Sequence, residues 1–383
     1  MKKKVLILGS TGSIGRSTLD VIENQLDRFE VYGLVCRDNI ELLNRQIQTF
    51  KPKYVCIFHR EQEKNVLFDR KRLFFGMEGI LNLINTDVDI VLNALPGSVG
   101  LNPTIEALKA NKILALANKE SLVMAGRIVT KLIKKGSSRL IPVDSEHSAL
   151  YQLLKNVKPS QVKSITITAS GGPFRKHKKK ALKTVSPEEA MNHPTWSMGK
   201  KVTLDSATLM NKGFEVIEAK WLFKINHKNI KVIIHPQSII HGMVEFIDGS
   251  FTAYLSHPDM RLPISYALNE GKTTALNLKR LNLEELKRLT FYSPDFVRFP
   301  SLKLAYDALD EGDSALVVLN TASEVASQAF VEGKIRFTDI PLLIKKALDN
   351  HKLKKVIEDM DEIWHYHNWA KEFGEKIIGD MKK

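Results

Sequence analysis

Only two cysteines, Cys36 and Cys56, stand among the 383 residues. That excludes a disulfide framework and a four-cysteine zinc site. Long apolar runs are missing too, and none approaches the roughly 18 residues that a membrane-spanning helix needs. The start, Met1-Lys2-Lys3-Lys4, is basic, but the apolar run behind it stops at Gly9. It lacks the longer apolar core and small-residue cleavage site of a secretory signal. Internal repeats and low-complexity tracts are absent as well. Acidic residues are scarce relative to basic ones, 43 against 57, giving a net charge of +14 and a sequence pI near 9.5. A basic excess fits a nucleic-acid binder, a Lys-rich soluble protein, or a protein that attracts an anionic substrate. The one dense run, Arg175-Lys176-His177-Lys178-Lys179-Lys180, has no interleaved aromatic residue, and the other lysines are scattered over helix-like segments. No nucleic-acid partner and no membrane partner is therefore expected. What remains is ordinary, 43% hydrophobic and 26% charged residues, which argues against a disordered chain. The expectation is a reduced, cytoplasmic protein of two or three domains, at roughly 150 residues per domain.

The first third alternates short β-branched runs with amphipathic stretches. Residues 5–8, 31–35, 54–58, 90–94, 113–117 and 140–143 read as buried parallel strands because they lack strict polar alternation. Helical patterns lie between them, as at 17–25 and 103–110, so the fold class is α/β with an N-terminal Rossmann-like, doubly wound domain. The middle third reads as a mostly antiparallel sheet, from residues 164–169, 239–246 and 250–255 with an Asp248-Gly249 turn. A helix is expected over 205–223 within this central α+β domain. Residues 271–300 resemble a connection, and 301–383 read as a C-terminal helical bundle with breaks at Gly333 and Pro341. The expected domains are 1–144, 145–270 and 301–383.

Gly9-Ser10-Thr11-Gly12-Ser13-Ile14-Gly15 follows the first strand and opens a helix. This spacing is a variant of the dinucleotide fingerprint, in which glycines let the backbone approach a pyrophosphate seated on the helix N-terminus. A plain Gly-rich turn is the competing reading. At the end of the second strand, an acidic residue favours NAD and an arginine favours the 2′-phosphate of NADP. Cys36-Arg37-Asp38-Asn39 supplies both, and the residues alone leave the choice open.

The run 140–143 ends in Asp144-Ser145-Glu146-His147. In extended chain, residues i and i+2 share a face, so Asp144 and Glu146 can converge as oxygen ligands for Mg²⁺ or Mn²⁺. Alternatively the same residues are a helix N-cap and an acidic first turn before the apolar run 149–154.

Further motifs occur in order: Ala117-Asn118-Lys119-Glu120-Ser121, Ser170-Gly171-Gly172-Pro173-Phe174-Arg175, the stretch from His193-Pro194-Thr195-Trp196 to Gly199-Lys200-Lys201, Asp205-Ser206-Ala207-Thr208-Leu209-Met210-Asn211-Lys212-Gly213 with Glu215, and His235-Pro236-Gln237-Ser238. With the glycine loop and Asp144–Glu146, they resemble the 1-deoxy-D-xylulose 5-phosphate reductoisomerase family over essentially the whole chain. The resemblance implies conversion of a phosphorylated sugar, 1-deoxy-D-xylulose 5-phosphate, to 2-C-methyl-D-erythritol 4-phosphate in non-mevalonate isoprenoid synthesis. It further implies NADPH, a divalent cation (Mg²⁺, Mn²⁺ or Co²⁺) and a homodimer. Its implied metal ligands are Asp144, Glu146 and Glu215, with Lys119 and His193 completing the catalytic set. Substrate contacts fall on Lys119, Ser145, Glu146, Ser170, His193, Ser206, Asn211, Lys212 and Glu215. Cofactor contacts fall on Thr11, Gly12, Ser13, Ile14, Arg37, Asn39, Asn118, Glu120 and Gly199.

Glu215 lies four residues beyond Asn211 and three beyond Lys212, so a helix puts all three on one face. His147, His235, His241 and His257 are expected to be structural. In the tail, His365 and His367 at i and i+2 do not face each other on a helix, which favours packing over a metal box. Residues 170–200 are expected to form a lid, and the basic run 176–180 within it departs from the family pattern. A semialdehyde dehydrogenase of the acylating type competes as a reading, but it needs a nucleophilic cysteine in its second domain, where this chain has none.

Overall fold

The computed structural model describes residues 1–196 and 199–381, so Ser197 and Met198 of the expected lid lie outside the described residues. The chain divides into two compact units. The first comprises Met1–Asn118, Val129–Ser148 and Asp259–Lys279, and the second comprises Lys119–Ile128, Ala149–Pro258 and the residues from Arg280 onward.

In the first unit, β1 (Lys3–Leu8), β2 (Phe29–Cys36), β3 (Tyr54–Ile57), β4 (Leu73–Phe75), β5 (Ile90–Asn93), β6 (Ile113–Leu116) and β7 (Arg139–Pro142) form one sheet in the order β4-β3-β2-β1-β5-β6-β7. All neighbours pair in parallel. The six strands read from the sequence are present, and their near-continuous apolar character follows from burial on both faces. Strand β4 is three residues long, too short to show a period, and the sequence reading misses it. Helices α1 (Ser13–Glu23), α2 (Ile40–Phe50), α3 (Gly76–Ile84) and α4 (Leu101–Lys109) connect the strands, with α5 (Glu120–Lys135) before β7 and α6 (Ser145–Leu154) after it. The chain winds outward from β1 to β4 and resumes at β5 on the other side of β1. Sheets of this kind bind ligands at the strand C-termini where that reversal occurs, which is where the glycine loop lies.

In the second unit, β8 (Val162–Ala169), β9 (Ile230–Ile234), β10 (Ile240–Phe246) and β11 (Phe251–Leu255) form a sheet in the order β11-β10-β8-β9. Strand β10 is antiparallel to both neighbours, while β8 and β9 run parallel. The hairpin turn is where the sequence puts it: Gly249 has φ +87°, and Asp248 Oδ1 accepts from Ser250 N at 2.9 Å. Besides the short α7 (Pro187–Ala190), the expected helix at 205–223 is two helices, α8 (Lys200–Ala207) and α9 (Met210–Phe223). Leu209 breaks them with φ +61°, and the Thr208 hydroxyl donates to Asp205 O while accepting from Met210 N. A side chain that satisfies both ends stabilises the break.

Chain 259–279 belongs to the first unit, where α10 (Arg261–Leu268) is tied to α1 by Arg261 Nη1 donating to Asp20 Oδ2 at 2.8 Å. The expected connection carries only the short α11 (Leu283–Leu286) and a bridge between Ile234 and Tyr292. The C-terminal part is helical as read: α12 (Ser301–Glu311), α13 (Asp313–Val331), α14 (Ile340–Asn350) and α15 (Met360–Met381), with Gly333 at φ +68° and Pro341 in the first turn of α14. Helices α9 and α12 meet at Gly213, where an added Cβ would lie 2.7 Å from Ala305 Cβ. Among the described residues no helix is long and apolar enough to cross a membrane.

Candidate active site

The nucleotide end is built in the first unit. Gly9 turns the chain after β1 with φ +89°, and a Cβ on Gly15 would lie 2.3 Å from Gly9 O. Only glycine permits this closeness, and it leaves the N-terminus of α1 without a side-chain cap. Backbone N–H groups and the helix dipole there suit a phosphate. Thr11 Oγ1 meets Cys36 Sγ at 3.4 Å, joining the loop to the end of β2. Arg37 and Asp38 pair with each other, Nε to Oδ2 at 2.7 Å, and both are exposed. Asn39 is the N-cap of α2, its Oδ1 accepting from Leu42 N at 3.0 Å. Buried Asn118 gives its amide hydrogens to Leu95 O (2.7 Å) and Gly97 O (2.8 Å), holding the loop after β5. Asn39 and Asn118 thus shape the backbone around this end.

Asp144, Ser145 and Glu146 also lie in the first unit. The extended-chain expectation fails here: β7 ends at Pro142 and α6 begins at Ser145. Asp144 is the capping residue, with its carbonyl accepting from Ser148 N (2.8 Å) and Oδ1 from Ser145 N (3.0 Å). Glu146 stands in the first helical turn, where its Oε2 accepts from Ser145 Oγ. Oδ2 of Asp144 lies 3.4 Å from His147 Nδ1.

The second unit holds the rest. Helix α9 presents Asn211, Lys212 and Glu215 on one face, as the spacing predicts. Asn211 Nδ2 donates to Glu215 Oε1 at 2.6 Å and Lys212 Nζ to Oε2 at 2.5 Å. Lys119 Nζ stands 3.6 Å from the same Oε1. All three charged groups are buried, so Coulomb terms here are far stronger than at a surface.

His193 has a defined tautomer. Its Nδ1 accepts backbone N–H groups of Thr195 (3.2 Å) and Trp196 (2.9 Å), so the proton sits on Nε2, which donates to Ser170 Oγ at 2.9 Å. Gly172 N also donates to Ser170 Oγ, at 3.3 Å. Having accepted twice, the Ser170 hydroxyl has its own proton to give to a ligand. Burial, and then the Lys212 ammonium, pull the His193 pKa down to about 4. A Cβ on Gly172 would lie 2.6 Å from Ser206 O, so the Ser170 turn lies directly against Ser206.

Glu120, expected at the cofactor, pairs its carboxylate with Lys201 at 2.8 Å, and Lys201 also meets Asp205 at 2.7 Å. Burial pushes the Glu120 carboxyl up, but the Lys201 ammonium outweighs it and leaves the value below normal. For Asp205 burial wins and the value rises. Lys201 and Asp205 received no role in the sequence reading, although their i,i+4 spacing signals the pair. Gly199 caps α8 with open space at its Cβ position. Of the histidines expected to be structural, His235, His241 and His257 bond to Thr290 O, Ser256 Oγ and Arg280 O, and His147 lies against Asp144; in the tail His367 bonds to Thr321 Oγ1.

Comparison with known proteins identifies the family. The family pattern described as 1-deoxy-D-xylulose 5-phosphate reductoisomerase matches residues 5–126, its C-terminal domain pattern matches 140–223, and the pattern described as DXP reductoisomerase C-terminal domain matches 255–373. The chain is 46% identical over 381 residues to the reductoisomerase of Thermodesulfovibrio yellowstonii, covering 99% of this chain and 100% of that one. To the reductoisomerase of Caldanaerobacter subterraneus subsp. tengcongensis it is 50% identical over 354 residues, covering 91% and 93%. A crystal structure of DOX-P reductoisomerase in complex with NADPH, fosmidomycin and magnesium superposes with a TM-score of 0.94 at 36% identity, covering 100% of this chain and 99% of that one. The Zymomonas mobilis enzyme in complex with NADPH gives a TM-score of 0.90 at 36% identity, covering 99% of each chain. With its glycine loop, its α9 face and its Ser170–His193 pair in place along a match of this length, the chain belongs to the 1-deoxy-D-xylulose 5-phosphate reductoisomerase family.

Proposed function

We propose that the chain rearranges 1-deoxy-D-xylulose 5-phosphate and reduces it to 2-C-methyl-D-erythritol 4-phosphate, with NADPH as reductant and a divalent cation as electrophile, in non-mevalonate isoprenoid synthesis. The observation that carries this reading is the anion pocket of the second unit. Ser170 holds a free hydroxyl proton, the neutral His193 ring a fixed Nε2–H, and Lys212 an ammonium close enough to depress His193. Such a set suits a phosphate: hydroxyl and imidazole donate, and the ammonium supplies charge. Ser206 and Asn211 complete the assignment.

The residues suit both the cofactor and the cation. The glycine loop and uncapped α1 suit a pyrophosphate, with Thr11, Gly12, Ser13, Ile14, Arg37, Asn39, Asn118, Glu120 and Gly199 assigned as further contacts. Asp144 and Glu146 from the first unit and Glu215 from the second are assigned to the cation, an all-oxygen set suited to Mg²⁺, Mn²⁺ or Co²⁺. The chemistry supplied on binding is polarisation of the ketone with acidification of the neighbouring hydroxyl, and a hydride for the aldehyde that the rearrangement yields. The chain's own work is positional. Lys212 and Asn211 orient the Glu215 carboxylate, Lys119 keeps an ammonium beside it, and Ser145 orients Glu146. NADPH over NADH is assigned to Arg37, which must exchange Asp38 for the 2′-phosphate.

The assignment of parts follows: the first unit carries the cofactor together with Asp144 and Glu146, the second carries the substrate residues and Glu215 with a lid near 170–200, and 301–383 supplies the supporting helices. The chain acts as a cytoplasmic homodimer, and its pairing surface is the sheet edge at β11, where Phe251 and Leu255 are exposed alongside Ile247. Size-exclusion chromatography with light scattering, comparing F251K, checks this. The activity is tested by loss of NADPH absorbance on adding deoxyxylulose phosphate, with and without EDTA. No turnover with Mg²⁺ or Mn²⁺ present overturns the reading, and turnover unaffected by EDTA overturns the cation's part.

A further inference from the structure

The segment that carries Ser170 is held by a residue far away in sequence. Arg298 stands just ahead of α12. Its Nε donates to Asp295 Oδ2 at 2.8 Å, and Asp295 Oδ1 accepts the backbone N–H groups of Val297 (3.0 Å) and Arg298 (2.8 Å). The aspartate thereby locks the guanidinium on one side. On the other side Nη1 donates to the carbonyls of Arg175 (3.0 Å) and His177 (2.7 Å). These carbonyls open the basic run, so a cation is brought in beside Arg175, Lys176 and Lys178. Like charges resist that approach, and the directed hydrogen bonds to the two carbonyls are what hold it.

Beyond the Ser170–His193 hydrogen bond and the Arg175 guanidinium 6.0 Å over the Tyr292 ring, three attachments hold the chain from 170 to 177. Gly171 and Gly172, at φ +88° and +68°, fold the turn against Ser206 O. The Phe174 ring is fully buried and lies 5.2 Å from the His177 ring and 5.1 Å from the Phe337 ring. Arg298 supplies the third, and it alone of the three joins the turn to the start of α12. Helix α12 packs on α9 at Gly213, one residue after Lys212. The path Arg175–Arg298–α12–α9 therefore sets Ser170 relative to Lys212 through packed elements.

We propose that Arg298 is a positioning residue for the phosphate end of the substrate, holding the Ser170 turn in register with Lys212. The proposal rests on the assignment of Ser170 to that phosphate. Inorganic phosphate, used as a competitive inhibitor against deoxyxylulose phosphate, is the probe, with R298A and S170A measured side by side on the full-length protein. Coupling through such a path is worth a factor of roughly three to thirty. R298A is expected to raise the phosphate Ki and the substrate KM together by that factor, with kcat and the NADPH Kd within about twofold. General loosening of the fold would move all four and lower Tm. Should R298A be unstable, D295N, which keeps the guanidinium but removes the charge that locks it, is expected to raise Ki and KM in the same direction. Unchanged Ki in R298A or D295N while S170A weakens phosphate overturns the positioning role alone. Unchanged Ki in S170A overturns the Ser170 assignment, and this proposal falls with it.

Discussion

His193 gives the most discriminating prediction, because its two ring nitrogens have different jobs. An asparagine at 193 can offer its amide oxygen to the Thr195 and Trp196 N–H groups, as short amide side chains do in turns, but cannot reach Ser170 as Nε2–H does. H193N therefore keeps the local backbone and loses the donor at the phosphate. A hydrogen bond to a charged group contributes about 1.5–3 kcal/mol, so kcat/KM is expected to fall about tenfold to a hundredfold. The fall should lie mainly in KM. H193Q, whose amide nitrogen can reach toward Nε2, should lose less. The pH dependence is sharper still. With its pKa pulled from 6.5 to about 4, the folded ring binds fewer protons than the unfolded one. Its contribution to stability is thus complete above pH 6.5 and is lost as pH falls toward 4. At pH 5 that loss amounts to about 2 kcal/mol in full, and about 1 kcal/mol once screening of a partly exposed group is allowed for. Urea unfolding from pH 4 to 8 should show a shallower decline in H193N by that amount. The kcat/KM profile of H193N should run parallel to the parent's above pH 5, where the ring stays neutral. Loss of a limb near pH 6.5 in H193N, or ¹⁵N NMR placing the proton on Nδ1, refutes the tautomer argument.

The remaining predictions concern charge. Glu215→Gln should keep the fold and NADPH binding yet lose orders of magnitude in turnover and need far more Mn²⁺ or Mg²⁺, since a cation ligand supplies several kcal/mol at the transition state; near-normal turnover at low metal removes Glu215 from the site. Arg37→Ala should weaken NADPH selectively, read as a fall in the ratio of kcat/KM for NADPH over NADH, and an unchanged ratio would hand the choice to other residues. Lys201→Met leaves the buried Glu120 and Asp205 carboxylates without their shared ammonium, which should cost about 3–5 kcal/mol in urea unfolding; a loss under 1 kcal/mol means the pair is not what holds α8 to the start of α5.

Local signals carried much of this. The Gly9–Gly15 spacing needs only its own backbone to be recognised, since Gly9 adopts a left-handed φ and Gly15 leaves no room for a side chain. The six apolar runs gave six of the seven parallel strands, and the i,i+3 and i,i+4 spacing of Asn211, Lys212 and Glu215 became one helical face. Periodicity reports such features because they depend on neighbours a few residues apart. Where local signals compete, the residues alone leave the outcome open or miss it. Asp144–Glu146 read as extended chain or as a cap, and the cap geometry prevailed because the first turn of α6 satisfies Ser145 N and Ser148 N at once. The helix at 205–223 broke at Leu209 because the Thr208 hydroxyl rewards the break, an effect too small for a hydrophobic period to register.

What the tertiary structure alone decided is which distant groups meet. The protonated nitrogen of His193 is set by two backbone N–H groups and by Ser170, 23 residues away. Glu120 is paired with Lys201, 81 positions later, because burying a carboxylate without a cation is costly and the fold brings that one within 2.8 Å. Arg298 reaches the carbonyls of Arg175 and His177 across more than a hundred residues. Composition and spacing fix which side chains are available and on which face of an element they stand. Desolvation, hydrogen-bond direction and proton position arise only when separate segments close on one another, so they are properties of the fold.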